Sequence, residues 1–513
     1  MKTNSIILGL ALFNLFSCSG SGGNDNSNNQ QNNGSTTSPT PTPVIAQDST
    51  RVNNTTSNSF SSHVANLTDV EKIRQFNIGD DFFENPWVEK TSSTELRDGL
   101  GPLFNNNACQ NCHIRDGRGH APGDTGSASE NDFSTILFKA AKSDISEQQR
   151  TDMMVGRLAN VGDTNVGGQL QQRSIFNIQN EVNLAVSYTY HNITFEDGFS
   201  VELRKPEWQF ESTYASSGYD FNSDTIFSAR VTQPMIGLGL LALIDEDIIR
   251  SQQDIADSDN NGISGKANTV WDAVNQQTKL GRFGWKAGQP SVRQQAAAAF
   301  NNDMGLTTEI FLQEGCISHQ VDCLNSPNGN GDSMSDYPYE VATSVLDNIE
   351  FYASHLAVPQ RRNPNAQSVQ AGEQLFNNAG CNACHVKSYT TVEHVDFPQL
   401  ANQAIEPFTD LLLHDMGDDL ADFSHTSIGN QTAPKQTAIE FQATAHEWRT
   451  PPLWGLGLVK TVNPNASFLH DGRARNILEA VLWHGGEAES AKNMVLRFNQ
   501  VQREQLLEFL NDL

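Results

Sequence analysis

Leu103-Phe104-Asn105-Asn106-Asn107-Ala108-Cys109-Gln110-Asn111-Cys112-His113 and Leu375-Phe376-Asn377-Asn378-Ala379-Gly380-Cys381-Asn382-Ala383-Cys384-His385 decide the reading of this chain. A Cys-x-x-Cys pair alone is ambiguous between zinc, a redox dithiol and haem. Histidine at the fifth position points to c-type haem: two thioethers hold the porphyrin and the adjacent imidazole becomes the proximal iron ligand. Leu-Phe-Asn-Asn stands at the same offset before both motifs, which predicts one cytochrome c-like unit used twice. The expected cofactors are two covalently bound haem c groups, on Cys109 and Cys112 and on Cys381 and Cys384. His113 and His385 are then the proximal ligands.

The N-terminus supports an exported chain. Lys2 supplies a short basic region, Ile6 to Phe16 an apolar stretch too short to span a bilayer, and Leu15-Phe16-Ser17-Cys18 reads as a lipoprotein cleavage box. Residues 1–18 are therefore expected to be a lipoprotein signal peptide through the acylated Cys18. Phe16 is bulky for its place, so plain secretory cleavage stays open. The expected location is the periplasm or the cell surface, with a lipid anchor in the outer membrane of a Gram-negative bacterium. Seven cysteines are present: Cys18 for lipid, four for haem, and Cys316 with Cys323. That last pair reads as a loop disulfide of an oxidising compartment, with a redox-active pair as the other reading. The 33 basic and 60 acidic side chains give a net charge of −27, which argues against nucleic acid as a partner. The acidic excess serves solubility or a docking face for a basic redox partner protein.

Residues 19–62 are Ser, Asn, Gly, Thr and Pro with few apolar side chains, and read as a disordered tether. Phe133 to Lys142 carries apolar positions at mixed helical spacing. Val182 to Phe210 alternates with period two around Glu196-Asp197-Gly198, a β-hairpin pattern. Val341, Val345, Leu346, Ile349 and Tyr352 share one face of a helix over Glu340 to Leu356, and the chain ends in a helix from Val501 to Leu510. Val358-Pro-Gln-Arg-Arg-Asn-Pro-Asn365 marks a boundary. The expected fold is mainly α: a cytochrome c-like domain over 63–365 with insertions that include the hairpin, and a second over 366–513.

The sixth position of each iron decides what a haem can do. His484 follows the apparent helix Ile477-Leu-Glu-Ala-Val-Leu-Trp-His484, closed by Gly485-Gly486. Phe468-Leu-His-Asp-Gly472 and Arg449-Thr-Pro-Pro-Leu453 resemble segments of bacterial di-haem cytochrome c peroxidases. In those enzymes the matching helix supplies a distal methionine, and that position falls on His484. The resemblance thus implies bis-histidine ligation by His385 and His484, against a buried hydrogen-bonded histidine, with Met416 the second candidate. Gly167-Gly-Gln-Leu-Gln171, Gly237-Leu-Gly-Leu-Leu241, Gly281-Arg-Phe-Gly-Trp-Lys-Ala287, His355-Leu-Ala-Val-Pro359, Leu413-His-Asp-Met-Gly417 and Leu482-Trp-His-Gly-Gly486 resemble a di-haem oxidoreductase family described as peroxidases and as thiol oxidoreductase-like.

For the first haem the resemblance offers Gln169 and Gln171 as distal polar groups and Trp285 as an electron relay, with core packing equally open for Trp285. His120 is expected at a loop or propionate contact, and Glu246 on the surface. Asp257, Asp259, Asn261 and the Ile263 carbonyl resemble the first half of a calcium loop, with Gly262 at the turn, although Asn268 stands where a full loop has Glu. An Asx-rich turn is the alternative. The function implied is an exported di-haem oxidoreductase, peroxidase-like, acting on a small-molecule oxidant or another substrate at an N-terminal reactive haem, with a C-terminal electron-relay haem. The alternative is a non-catalytic periplasmic electron-transfer cytochrome.

Overall fold

The structure, a computed structural model, describes residues 48–90, 92, 95–123, 133–329, 338–424 and 437–513. The signal segment with Cys18, and the tether as far as residue 47, lie outside the described residues. The main helices are α1 (Val70–Glu84), α2 (Cys109–Cys112), α3 (Val292–Met304), α4 (Thr343–His355), α5 (Gln367–Asn378), α6 (Ile477–Leu482) and α7 (Gln500–Asp512). Their starts follow from local capping. The Asp69 carboxylate accepts from the N–H groups of Glu71 and Lys72, Ser291 caps α3, and Asn499 closes a capping box on α7.

One helix crossing occurs twice. Ahead of the first motif, α1 crosses α4 at Gly79, where a Cβ would meet the Asn348 carbonyl at 2.3 Å. Ahead of the second, α5 crosses α7 at Gly372, where a Cβ would meet the Gln505 carbonyl at 2.0 Å. Each glycine lets two helices approach more closely than any side chain allows. The repeated Leu-Phe-Asn-Asn pattern is thus accompanied by repeated packing.

The expectation of a mainly α fold is not met: 30% of the chain is helix and 19% strand, in several small sheets. The principal strands are β1 (Ile136–Lys142), β2 (Val182–Thr194), β3 (Ser200–Ser212), β4 (Thr225–Val231), β5 (Leu413–Asp415), β6 (Phe423–Ser424) and β7 (Glu447–Arg449). Part of the difference is the run read as helix-spaced, which is β1. Ile136, Phe138 and Ala140 alternate inward, and the strand pairs with β4 from Ile136↔Val231 to Lys142↔Thr225. The rest is length. The hairpin β2–β3 holds register from Val182↔Ser212 to Thr194↔Ser200, and β3 continues through Pro206, opposite Tyr188. A two-stranded ribbon leaves one edge of each strand without a ladder, so a proline is tolerated there.

The sequence halves interlock. β6, from beyond the second motif, pairs with the free edge of β4 to give the order β6-β4-β1. The hairpin tip reaches the C-terminal segment, with Glu196 N–H donating to Leu496 O (2.9 Å) and Arg503 bonding Asp197 at 2.6 Å. The described residues form one compact unit, and its largest hydrophobic core includes Phe60, Phe76, Tyr352, Phe376 and Phe509. The tether reading also ends too late. Thr50, Ser59 and Phe60 are fully buried, and the Phe60 ring packs against Gly455, whose N–H bonds Leu513 O. Phe60, with Val52 packed on the same core, anchors a segment that is mostly polar.

Phe60→Ala should cost about 3–5 kcal/mol, the usual range for a fully buried phenylalanine. Chemical denaturation of the haem-loaded protein would read it, and a loss under 1 kcal/mol would return this segment to the tether.

Candidate haem sites

Both motifs open on one cavity of about 680 Å³, lined by Cys109, Cys112 and His113 on one side and Cys381, Cys384 and His385 on the other. The first motif is itself the short helix α2, and Asn106 donates to Cys112 Sγ at 3.4 Å. His113 Nδ1 donates to Gln233 O at 2.8 Å and His385 Nδ1 to Phe408 O at 2.9 Å. This fixes the tautomer in both rings and leaves Nε2 for iron, the arrangement that orients metal-bound histidines. Burial lowers both imidazoles to about 4, so each is neutral, as a ligand must be. All four motif cysteines are free, and burial pushes Cys109, Cys112 and Cys381 up to about 12. That is opposite to the depressed thiol of a redox dithiol. The donor set fits two haems.

Around the second motif, the segments Leu413–Gly417 and Leu482–Gly486 meet. Gly486 has φ +54°, and a Cβ there would lie 2.2 Å from Asp415 O. His484 and Met416 both line the cavity. The helix α6 ends at Leu482 with Trp483 as its cap, so His484 stands just beyond it. His484 Nδ1 donates to Ala480 O at 2.8 Å, leaving Nε2 in the same state as in the two motif histidines. His414 was not singled out by sequence. It is buried between Asp410 (2.8 Å) and Glu487 (2.6 Å), with Cys384 Sγ 3.7 Å away. Burial opposes its charge, yet the bonds to Asp410, Cys384 and Glu487 hold its pKa well above the usual histidine value.

Around the first motif, the expected residues fall partly elsewhere. Gln169 and Gln171 are not among the cavity-lining residues; both donate to Asn302 O, at 2.7 and 2.8 Å. They stand behind the wall, and Gln169 alone reaches Asp303, whose carboxylate accepts from Gln169 Nε2 at 2.8 Å. Asp303 lines the cavity, lies close enough to raise the thiols of Cys109 and Cys112, and is itself raised by burial. Lys139 and the ion pair Arg230–Glu440 (2.6 Å) line the same region. Nothing in sequence spacing marks these four, which come from β1, α3, β4 and the short strand Ala438–Glu440. Trp285 lines the cavity, donates Nε1 to Val231 O, and lies 6.4 Å from both Trp448 and His470. His120 is absent from the cavity lining, and Glu246 is an outer carboxylate paired with Arg250.

In the Asp257 loop, Asp254, Asp257 and Asp259 each bring an oxygen within 4.8 Å of the others; Asp254 was not foreseen. Asn261 Oδ1 accepts from Ile263 N–H, and Asp257, Asn260 and Gly262 have positive φ. Cys316 and Cys323 form a disulfide, S–S 2.01 Å. Its loop presents Gln320 to Glu181, a buried carboxyl that also accepts from Gln171 N–H and is raised to about 8 by burial.

The cavity with its two motifs defines a di-haem protein, and sequence comparison agrees. The chain belongs to the di-haem oxidoreductase family, whose profile, described as "Di-haem oxidoreductase, putative peroxidase", matches residues 46–513. Two solved structures are similar in part. Hydrazine synthase from Kuenenia stuttgartiensis under xenon is 18% identical, with 34% of this chain and 57% of that chain covered and a TM-score of 0.23. The di-haem peroxidase BthA from Burkholderia thailandensis E264 is 13% identical, with 47% and 68% covered and a TM-score of 0.26. The chain thus spans little more than half of the hydrazine synthase chain. No curated protein matches.

Glu181 carries a pH prediction. Its folded pKa is near 8 and an ordinary glutamate's about 4.3, so the fold holds a proton that the unfolded chain has released between those values. Stability should fall as pH rises through that window. Glu181→Gln should flatten the slope in thermal melts from pH 5 to 8, and an unchanged slope would refute the assignment.

Proposed function

We propose that this chain is an exported c-type di-haem oxidoreductase of the peroxidase kind, with a reactive site at the first motif and an electron-relay site at the second. The observation that supports it is the asymmetry of one cavity. Beside His385 stands a further imidazole, His484, whose Nδ1 is engaged as in a ligand; beside Cys109 and Cys112 stands a buried carboxyl, Asp303, that among the described residues is not paired with a histidine as Asp410 is near Cys384. The haems, when bound through thioethers to the four cysteines, supply the one-electron chemistry. His385 and His484 would hold the second iron, with Met416 next in rank.

The chain's own part at the first site is proton handling. Cleaving a peroxide O–O bond requires a proton to move from one oxygen to the other, and a positioned carboxyl does this. Burial favours the protonated form of Asp303, the Lys139 charge opposes it, and the Gln169 amide fixes the carboxyl's orientation. Trp285, with Trp448 and His470 at 6.4 Å, offers aromatic rings between the motifs for electron passage from a redox partner protein. The disulfide suits an oxidising compartment, in keeping with export and a lipid at Cys18. Among the described residues no helix is long and apolar enough to cross a membrane. We assign the Asp254–Asp257–Asp259 loop to Ca²⁺.

The pyridine haemochrome assay should count two covalent haems, and one in the Cys109→Ala/Cys112→Ala variant. The protein should react with peroxide, and Asp303→Asn should slow that reaction by roughly 10²–10⁴-fold, the usual worth of a general acid–base. His484→Ala should convert one low-spin haem to a high-spin form. Two low-spin haems inert to peroxide and cyanide in every redox state would instead favour the electron-carrier reading. Separately, a Ca²⁺ chelator should lower the melting temperature and added Ca²⁺ restore it; no response would leave the loop an Asx-rich turn.

A further inference from the structure

Three arginines line the cavity, and they are not alike. Arg230 is paired with Glu440 at 2.6 Å. Arg118 and Arg449 are only 6% and 4% exposed, yet among the described residues neither has a carboxylate within 4 Å. Arg118 donates Nε and Nη2 to the carbonyls of Ser467 and Leu469. Arg449 donates Nε to Gly284 O (2.9 Å), Nη1 to Thr450 O (3.2 Å) and Nη2 to Gln233 Oε1 (3.1 Å). These are neutral acceptors. Burial lowers both guanidiniums to about 10, with the more distant Asp471 and Asp410 offsetting it only in part. Buried cations without anions are costly, and proteins keep them where an anion arrives from elsewhere.

Their placement indicates which anion. Arg118 follows His113 by five residues, and its Cζ lies 5.2 Å from the Trp285 ring. Arg449 N–H donates to Trp285 O at 2.8 Å, and its side chain holds Gln233, whose carbonyl fixes His113. Two cations thus stand at Trp285, the Arg118 guanidinium over its ring and the Arg449 guanidinium on the carbonyl of its neighbour Gly284, in a wall shared by both motifs. A planar guanidinium with donors to spare matches a carboxylate in two-point contact.

We propose that Arg118 and Arg449 are the carboxylate-binding end of this cavity and receive haem propionates at Trp285. The inference rests on the reading that the cavity holds haem. It assigns two cofactor-binding residues that lie outside both Cys-x-x-Cys-His motifs, one from each half of the sequence. It also gives a reason for the cations' lack of partners: two propionates would neutralise two guanidiniums that the protein leaves uncompensated.

The test uses the haem-loaded protein and two readouts other than turnover. In Arg118→Gln and Arg449→Gln, the propionate bending band in the resonance Raman spectrum should move. The midpoint potential of at least one haem should shift downward in a spectroelectrochemical titration, because a cation beside the porphyrin has been removed. Arg118→Lys and Arg449→Lys keep the charge and lose the fork; they should move the Raman band while largely restoring the potential. They also serve if the glutamine variants fail to fold. Two covalent haems with band and potential unchanged in all variants would overturn this proposal alone. A wild-type protein without covalent haem would overturn the functional reading and this proposal with it.

Discussion

Each motif histidine has one ring nitrogen committed to a main-chain carbonyl, and much of the surrounding structure serves to hold those two carbonyls still. Gln233 follows the buried strand β4, which is paired on both edges, and its side chain is clamped by Arg449. Phe408 is held at φ +54°, a left-handed conformation that costs a non-glycine residue about 1–3 kcal/mol. The Phe408 ring packs against Phe376 and Phe509 at 6.3 and 5.8 Å, and those belong to the crossing helices α5 and α7. The helix crossing therefore offsets backbone strain at the carbonyl that orients His385. Packing energy and ligand orientation are the same interaction seen from two sides.

The two halves of the sequence are not independent around the cavity. Trp448, Arg449 and His470 come from beyond the second motif, yet they surround Trp285 and, through Gln233, reach His113. In the other direction the hairpin β2–β3 reaches the neighbour of His484, with His191 edge-on to Trp483 at 5.0 Å. Packed side chains from both halves of the sequence thus run without a break from one motif to the other.

What could be read from sequence was whatever is local. The motifs, the hairpin around Gly198, the helix ending at His355 and the last helix all carry their signal in adjacent residues or a short period. Phe133–Lys142 misled because Ile136, Phe138 and Ala140 alternate while Leu137 and Ala141 between them are also apolar, which blurs period two into helical spacing. Phe60 was lost in a polar run because composition averages over the one residue that matters. Asp303, Lys139, Arg230 and Glu440 could not be foreseen: they meet only when four distant segments fold together. Resemblance offered Gln169 and Gln171 as distal groups, and neither lines the cavity: resemblance does not say which side of a wall a side chain is on.

The meeting of Phe60, Gly455 and Leu513 has a consequence in time. A chain is made from its N-terminus, so Cys109 and Cys112 emerge long before residues 448–513 exist to close the cavity or to cover Phe60. The early part must wait, open and incomplete, for the last helix. During that interval the first pair of thiols is not yet enclosed by the cavity that holds them in the folded chain. Docking of the C-terminal helix is then the closing step of folding, the one that completes the cavity wall with Leu506 and Leu510 and brings Leu513 to the Gly455 that Phe60 packs against.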